Sequence, residues 1–214
     1  MKKIDIAFND LMNKKETQNI INKLKKEKNI CPNFNDIFKA FDLCPLSKAK
    51  VVIFGQDPYH QRGVADGLAF STKNKRTPAS LKNIFKELKS EYPNVSLKTN
   101  NLDSWAKQGV LLLNSYLTGQ ENKPLSHKDI GWKNFINSII YLLNKYSEKI
   151  IFVLWGNDAK KYLNIIDLKK HYILTSSHPS PLSANKGFFG NQHFLKINEI
   201  LKNINKKEID WDTL

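Results

Sequence analysis

The segment Gly55-Gln-Asp-Pro-Tyr-His60 sets a carboxylate, a phenol and an imidazole side by side, directly after the apolar run Val51–Phe54. These residue types accept, donate or hold protons, and a carboxylate can also stabilise developing positive charge or orient a water. A second polar group, Ser176-Ser-His-Pro179, follows another apolar run, and Asn114 closes a third. Each has a plainer reading. Asp-Pro starts turns, Asn caps elements, and a loop His binds backbone. The choice depends on whether the elements carrying these residues bring them to one place.

Four short apolar runs are candidates for those elements. Lys50–Phe54, Val110–Asn114, Ile150–Trp155 and Tyr172–Ser176 are rich in branched or aromatic residues and lack alternation. That is the pattern of strands buried on both faces of a parallel sheet. Amphipathic segments separate them. Ser80–Tyr92 gathers Leu81, Ile84, Phe85 and Leu88 on one face, with Ser80 available as N-cap. Trp132–Tyr146 gathers Phe135, Ile139, Leu142 and Leu143, and Phe194, Ile197, Leu201 and Ile204 repeat the pattern near the end. Residues 1–30 read as one or two helices belonging to the same domain.

Strand alternating with helix predicts an α/β fold, three-layer α/β/α with a central four-stranded, mostly parallel sheet, as a single domain over residues 1–214. In such sheets ligands bind outside the carboxyl ends of the strands. Those ends read Gln56-Asp57-Pro58-Tyr59-His60, Asn114, Gly156-Asn157 and Ser176-Ser177-His178-Pro179. Residues far apart in the chain therefore converge on one sheet edge.

Composition narrows the chemistry. The chain has 214 residues and 41% hydrophobic content, enough for one sizeable core. No apolar run reaches membrane-spanning length and the N-terminus has no secretory apolar region, so a soluble, cytoplasmic protein is expected. Cys31 and Cys44 read as free, reduced thiols. His60, His127, His171, His178 and His193 show no metal-ligand spacing, and no metal or organic cofactor is expected. P-loop, dinucleotide-binding and nucleophile-elbow signatures are all absent from the strand ends. The net charge of +14 fits a polyanionic partner, of which nucleic acid is the commonest. The excess is nearly all Lys, with Arg62 and Arg76 the only arginines, a bias that an AT-rich genome writes into any protein.

In this order the chain carries GQDPYH (Gly55–His60), GLAFS (Gly67–Ser71), WAKQGVLLLNSYLT (Trp105–Thr118), SHKDIGW (Ser126–Trp132), VLWGNDAKK (Val153–Lys161) and HPSPLSANKGFFG (His178–Gly190). Together these resemble family-1 uracil-DNA glycosylase, the base-excision repair enzyme that removes uracil from DNA. The resemblance runs from about Asn35 to about Ile204, and residues 1–30 add no diagnostic motif.

The resemblance implies roles position by position. Phe70 stacks on an extruded base, although a Phe after Leu-Ala is ordinarily core. Asn114 reads uracil's O4 and N3–H, since a carboxamide offers both an acceptor and donors. Tyr59 closes the pocket beside C5, where thymine carries a methyl group. Gln56 contacts the region of the base and the water. Asp57 is the catalytic carboxylate, stabilising a sugar cation and handling water; His178 donates to uracil O2 as charge develops there. His60 is read as structural support. Ser80 and Ser180 hold phosphates, and Leu182 enters the space the base leaves. The implied partners are single- and double-stranded uracil-containing DNA, single-strand-binding protein, and the phage inhibitor protein that mimics DNA. The protein is expected to act as a monomer.

Several positions depart from the family pattern. Val64 and Asp66 replace a Gln and a His, Ala79 replaces a second proline, Lys186 stands for an arginine, and Thr118-Gly119-Gln120 ends more loosely than the usual Thr-Val. Asp66 is expected near the DNA surface, where it weakens phosphate approach or pairs with a Lys. Lys186 loses the guanidinium fork and keeps the charge. The rival reading with the same fold is a catalytically silent DNA-binding or processivity module, against which Asp57, Asn114 and His178 argue. A glycosylase for a bulkier lesion is opposed by Tyr59 and Phe70. A small-molecule hydrolase lacks its nucleophile motif.

Overall fold

A computed structural model of the chain describes residues 2–214; Met1, part of the expected N-terminal segment, lies outside the described residues. Two helices open the fold, α1 (Lys3–Asn13) and α2 (Lys15–Leu24), followed by the short strand β1 (Ile30–Cys31) and helix α3 (Lys39–Leu43). Then come β2 (Val51–Gly55), α4 (Ala79–Glu91), α5 (Asp103–Lys107), β3 (Val110–Asn114) and β4 (Gly119–Gln120). The chain finishes with α6 (Trp132–Tyr146), β5 (Ile151–Trp155), α7 (Asn157–Lys160), β6 (Tyr172–Ser176) and α8 (His193–Asn203).

The central sheet has the order β3-β2-β5-β6, and every pairing in it is parallel. The register sets the carboxyl ends level: Gly55 pairs with Asn114, and Trp155 with Ser176. The chain leaves β2 toward β3 and later returns to its other side as β5, so the direction reverses between β2 and β5. A crevice at that reversal is where open α/β sheets bind ligands. A separate antiparallel pair, β1 with β4, joins the N-terminal segment to the chain after β3.

Every residue of β2, β3 and β5 is buried, as their unbroken apolar runs predict. Each fully buried aliphatic or aromatic side chain among them contributes about 1.5–3 kcal/mol relative to exposure. Successive residues point to opposite faces. Trp155 meets Phe188 and Phe194, while Phe54 packs on Phe152 and Tyr162. Phe8, Phe38 and Phe41 close a further aromatic cluster with Trp132 and Phe135 of α6.

Three expectations need correction. β6 is not buried on both faces: Tyr172 and Thr175 are exposed, because β6 is an edge strand with one neighbour. β3 is the other edge, yet it stays buried, with α3 and α5 packed against it and the Ala69 amide donating to its Leu112 carbonyl at 3.1 Å. Ser80 does not cap α4. The helix starts at Ala79 with Pro78 in the cap position, and no side chain caps it. Asp66 is not at a DNA-facing surface. It is 3% exposed and accepts from Ser71 Oγ (2.7 Å), the Leu68 amide (3.2 Å) and Asn101 Nδ2 (3.0 Å). Its expected lysine partner is Lys39, at 3.5 Å. A buried carboxylate needs this full set of partners. Cys31 and Cys44 are both free and buried. Among the described residues, no helix is long and apolar enough to cross a membrane.

Candidate active site

At the carboxyl edge of the sheet lies a cavity of about 240 Å³ whose walls include Gln56, Asp57, Tyr59, Phe70, Ser80, Asn114 and His178. Seven of the nine residues expected at the site therefore share one cavity. Ser180 lines an adjoining hollow of about 270 Å³ together with Gln56, Gly156 and His178. Leu182 stands apart at a loop tip, 88% exposed.

Asn114 enters the cavity as the last residue of β3, in register with Gly55. The glycine is a steric requirement, since a Cβ there would collide with the Asn114 side-chain oxygen. Asn114 is 7% exposed, yet its carboxamide has no hydrogen-bond partner among the described residues. Buried amides are ordinarily paired. A polar head left unpaired in a cavity is shaped for a ligand's donors and acceptors.

Phe70 and Tyr59 form one unit. Phe70 is buried with φ of 66°, a left-handed conformation that costs a bulky residue free energy. The Tyr59 hydroxyl donates to its carbonyl at 2.9 Å. The Phe70 ring lies 5.9 Å from that of His178 and 5.7 Å from that of Trp155. Burial, then the Asp66 carboxylate, pushes the Tyr59 phenol up, so it stays a neutral donor.

His178 is held by its own loop. The Ser180 amide donates to Nδ1 at 3.0 Å, and Ser183 Oγ donates to the His178 carbonyl at 2.9 Å. An amide only donates, so Nδ1 is the unprotonated nitrogen and the neutral ring carries its proton on Nε2. Burial lowers the His178 pKa, opposed by Asp158. The ring is thus a neutral donor at pH 7. Behind it Gly156, at φ 90°, leaves room that a Cβ would close, coming within 2.8 Å of His178 Cβ. Asn83 Nδ2 of α4 ties down the Pro179 carbonyl at 2.7 Å.

Asp57 follows β2 by two residues and is half-buried. Its Oδ2 accepts the Leu125 amide at 2.9 Å. Burial raises its pKa, while the Leu125 amide and His60 hold it down and Asp158 pushes it up. His60 anchors its neighbours through its carbonyl, which accepts the Asn122 amide at 2.8 Å and the Cys31 thiol at 3.8 Å. Its Nδ1 is buried without a partner. Gln56 donates through its side-chain amide to Asp158, which also takes Lys161. This contact spans the gap where the sheet order reverses. Among the described residues no group of three or more His, Cys, Asp or Glu is placed to hold a metal ion.

Leu125 and Asp158 were not foreseen as site residues. Asp158 sits inside VLWGNDAKK and Leu125 one residue before SHKDIGW. Those segments are recognisable in sequence, but no pattern says which backbone amide reaches Asp57.

The family model described as Uracil DNA glycosylase superfamily matches residues 41–202. A uracil-DNA glycosylase of Mycoplasmopsis pulmonis is 54% identical over 187 residues, covering 87% of this chain and 85% of its own. One from Fusobacterium nucleatum is 47% identical over 219 residues, covering 99% and 97%. The crystal structure of mimivirus uracil-DNA glycosylase superposes with a TM-score of 0.88 at 34% identity, over 96% of this chain and 84% of that one. A variant of the mimivirus enzyme in complex with UGI also gives 0.88, at 32% identity, over 100% and 89%. With the matched segment covering most of the chain and the cavity at the sheet edge, the chain belongs to the uracil-DNA glycosylase superfamily.

Proposed function

We propose that the chain is a uracil-DNA glycosylase that takes one deoxyuridine out of the DNA stack and hydrolyses its N-glycosidic bond, leaving an abasic site. The observation that carries this reading is the unpartnered Asn114 carboxamide in the same cavity as Asp57 and His178. A base inside a duplex cannot reach such a cavity, so it must be extruded. Phe70 stacks on it, Asn114 pairs with O4 and N3–H, and Tyr59 occupies the space that a methyl at C5 would need.

As the C1′–N1 bond breaks, its electron pair leaves on uracil and positive charge spreads over the sugar. His178 Nε2–H donates to O2, where the negative charge grows. The Asp57 carboxylate stabilises the sugar cation and takes the proton of the water whose oxygen bonds C1′. Gln56 helps to orient that water. Ser80 and Ser180 hold flanking phosphates, and Leu182 fills the vacated stack. This reading includes one domain over 1–214 acting as a monomer in the cytosol, on single- and double-stranded DNA. It includes contact with single-strand-binding protein and capture by the phage inhibitor that mimics DNA. For the inhibitor, the support is a mimivirus relative solved in complex with UGI.

The test is excision from a labelled oligonucleotide holding a single deoxyuridine, beside matched strands holding thymine or cytosine. Alkali-sensitive cleavage only at uracil is expected. Asp57→Asn should lower the single-turnover rate by roughly 10²–10³ while DNA binding remains. DNA binding without cleavage by the unaltered chain would make it the silent module instead.

A further inference from the structure

The segment between β4 and α6 (121–131) forms the back wall of the Asp57 turn. Leu125 donates its amide to Asp57 Oδ2, and Asn122 donates its amide to the His60 carbonyl, both from positive φ (57° and 60°). Leucine does not rest in the left-handed region without restraint. Some other contact must hold it there.

His127 lies two residues further on, in the same segment. It is 3% exposed and bridges two otherwise unrelated parts of the chain. Its Nδ1 is 2.8 Å from Thr118 Oγ1, which accepts the Trp132 indole N–H at 2.7 Å. Its Nε2 is 2.9 Å from the Glu27 carboxylate, which follows α2. The two atoms face each other at ion-pair distance without hydrogen-bond alignment. Lys128, the next residue, donates its amide to the Leu125 carbonyl at 3.1 Å and closes the turn on which Leu125 sits. The N-terminal segment reinforces the same wall. Cys31 pairs with Gly119 in the β1–β4 ladder, and the Glu121 amide donates to the Asn29 carbonyl at 2.8 Å.

We infer that His127, tied to Glu27 and Thr118, is a positioning residue that holds the Leu125 amide on Asp57, so that residues before the first sheet strand set the state of the catalytic carboxylate. The inference rests on the role given to Asp57 above. The groups bearing on Asp57 are His60 in its own turn, Asp158 of α7 and the Leu125 amide. Those bearing on His127 are Glu27 and Lys23. Of the groups around Asp57, the Leu125 amide is the one that His127 holds. If it slips, the Asp57 carboxylate becomes harder to ionise.

The experiment measures single-turnover rate, KM for a deoxyuridine oligonucleotide and the pH–rate profile of His127→Phe, His127→Gln and Glu27→Gln, beside Asp57→Asn. His127→Phe keeps ring bulk and loses both contacts, and His127→Gln keeps a donor toward Glu27. Expected for His127→Phe is a rate loss of about 10–100-fold with little change in KM, and an acid limb moved to higher pH. His127→Gln should recover part of both. A folded His127→Phe with the unaltered rate and acid limb, or with only KM changed, overturns the inference. If that variant does not fold, Glu27→Gln decides by the same two readouts. Should Asp57→Asn itself retain full activity, the failure lies in the role of Asp57 and not in the wall behind it.

Discussion

The Tyr59 hydroxyl donates to the Phe70 carbonyl at 2.9 Å, linking the residue proposed to lie beside the base edge to the one proposed to lie beneath its face. Phe70 keeps its left-handed backbone because this bond and the contacts with Trp155 and His178 hold it there. Tyr59→Phe leaves a half-buried carbonyl without its donor, a loss of about 1 kcal/mol. It should slow uracil excision several-fold without admitting thymine. Tyr59→Ala opens the space beside C5, and thymine excision should become detectable. Strands holding thymine or uracil, cleaved side by side by both variants, check the two outcomes.

In the proposed reading, Asn114 presents an acceptor and donors to the base. Asn114→Asp reverses part of that set and should admit cytosine while uracil excision falls. Discrimination by an unpaired buried polar group runs to about 10⁴-fold, so the change is readable even if partial. Gly55→Ala should reproduce the loss on uracil with Asn114 intact, because the added methyl meets the Asn114 oxygen. No shift in base choice for Asn114→Asp would remove it as the reader.

Both titrating groups at the site predict loss of activity in acid only. Burial raises Asp57, so its carboxylate is lost as pH falls through a pKa above 3.8. Burial lowers His178, so it is neutral at pH 7 and gains a second proton only below 6.5. Single-turnover rates should be flat from about pH 7 to 9 and fall below that range. A fall between pH 7 and 9 would mean that His178 works as an imidazolium.

Glu91 of α4 reports on stability. Burial, with Glu87 beside it, raises its pKa from 4.5 to about 7. The folded state therefore binds more protons than the unfolded one between those values, and stability falls as pH rises through that window. Glu91→Gln should flatten this slope. It should raise Tm at pH 8 by about 2–4 °C, the effect of ~1 kcal/mol in a chain of this size. Thermal unfolding at pH 5 and pH 8 gives the comparison.

Leu182 is 88% exposed on a loop pinned by Ser180, Ser183 and Asn83. Leu182→Ala should slow excision from duplex about tenfold more than from single strands, since only a duplex needs its vacated stack filled. An equal loss on both substrates would mean that Leu182 does not act as a wedge. Tm should change little, because the side chain is 88% exposed.

Much of this was present in the order of the residues. Unbroken apolar runs identify β2, β3 and β5 because a strand covered on both faces excludes polar side chains along its length and admits them only at its end, and the strand ends name Asp57, Asn114 and His178. Spacing along a chain carries no information about partners across the fold. Leu125 lies 68 residues from Asp57, and Asp158 lies 102 from Gln56. Which of them meet depends on how helices and loops seat against the sheet. The same cause explains the misread positions. Asp66 looks like a surface carboxylate until Lys39, Ser71 and Asn101 close over it. Tyr172–Ser176 looks like an inner strand until the sheet ends there. Residue types determined what chemistry the sheet edge can hold. Only packing decided which amide steadies the carboxylate, because a backbone N–H is the same in every residue and differs only in where the fold points it.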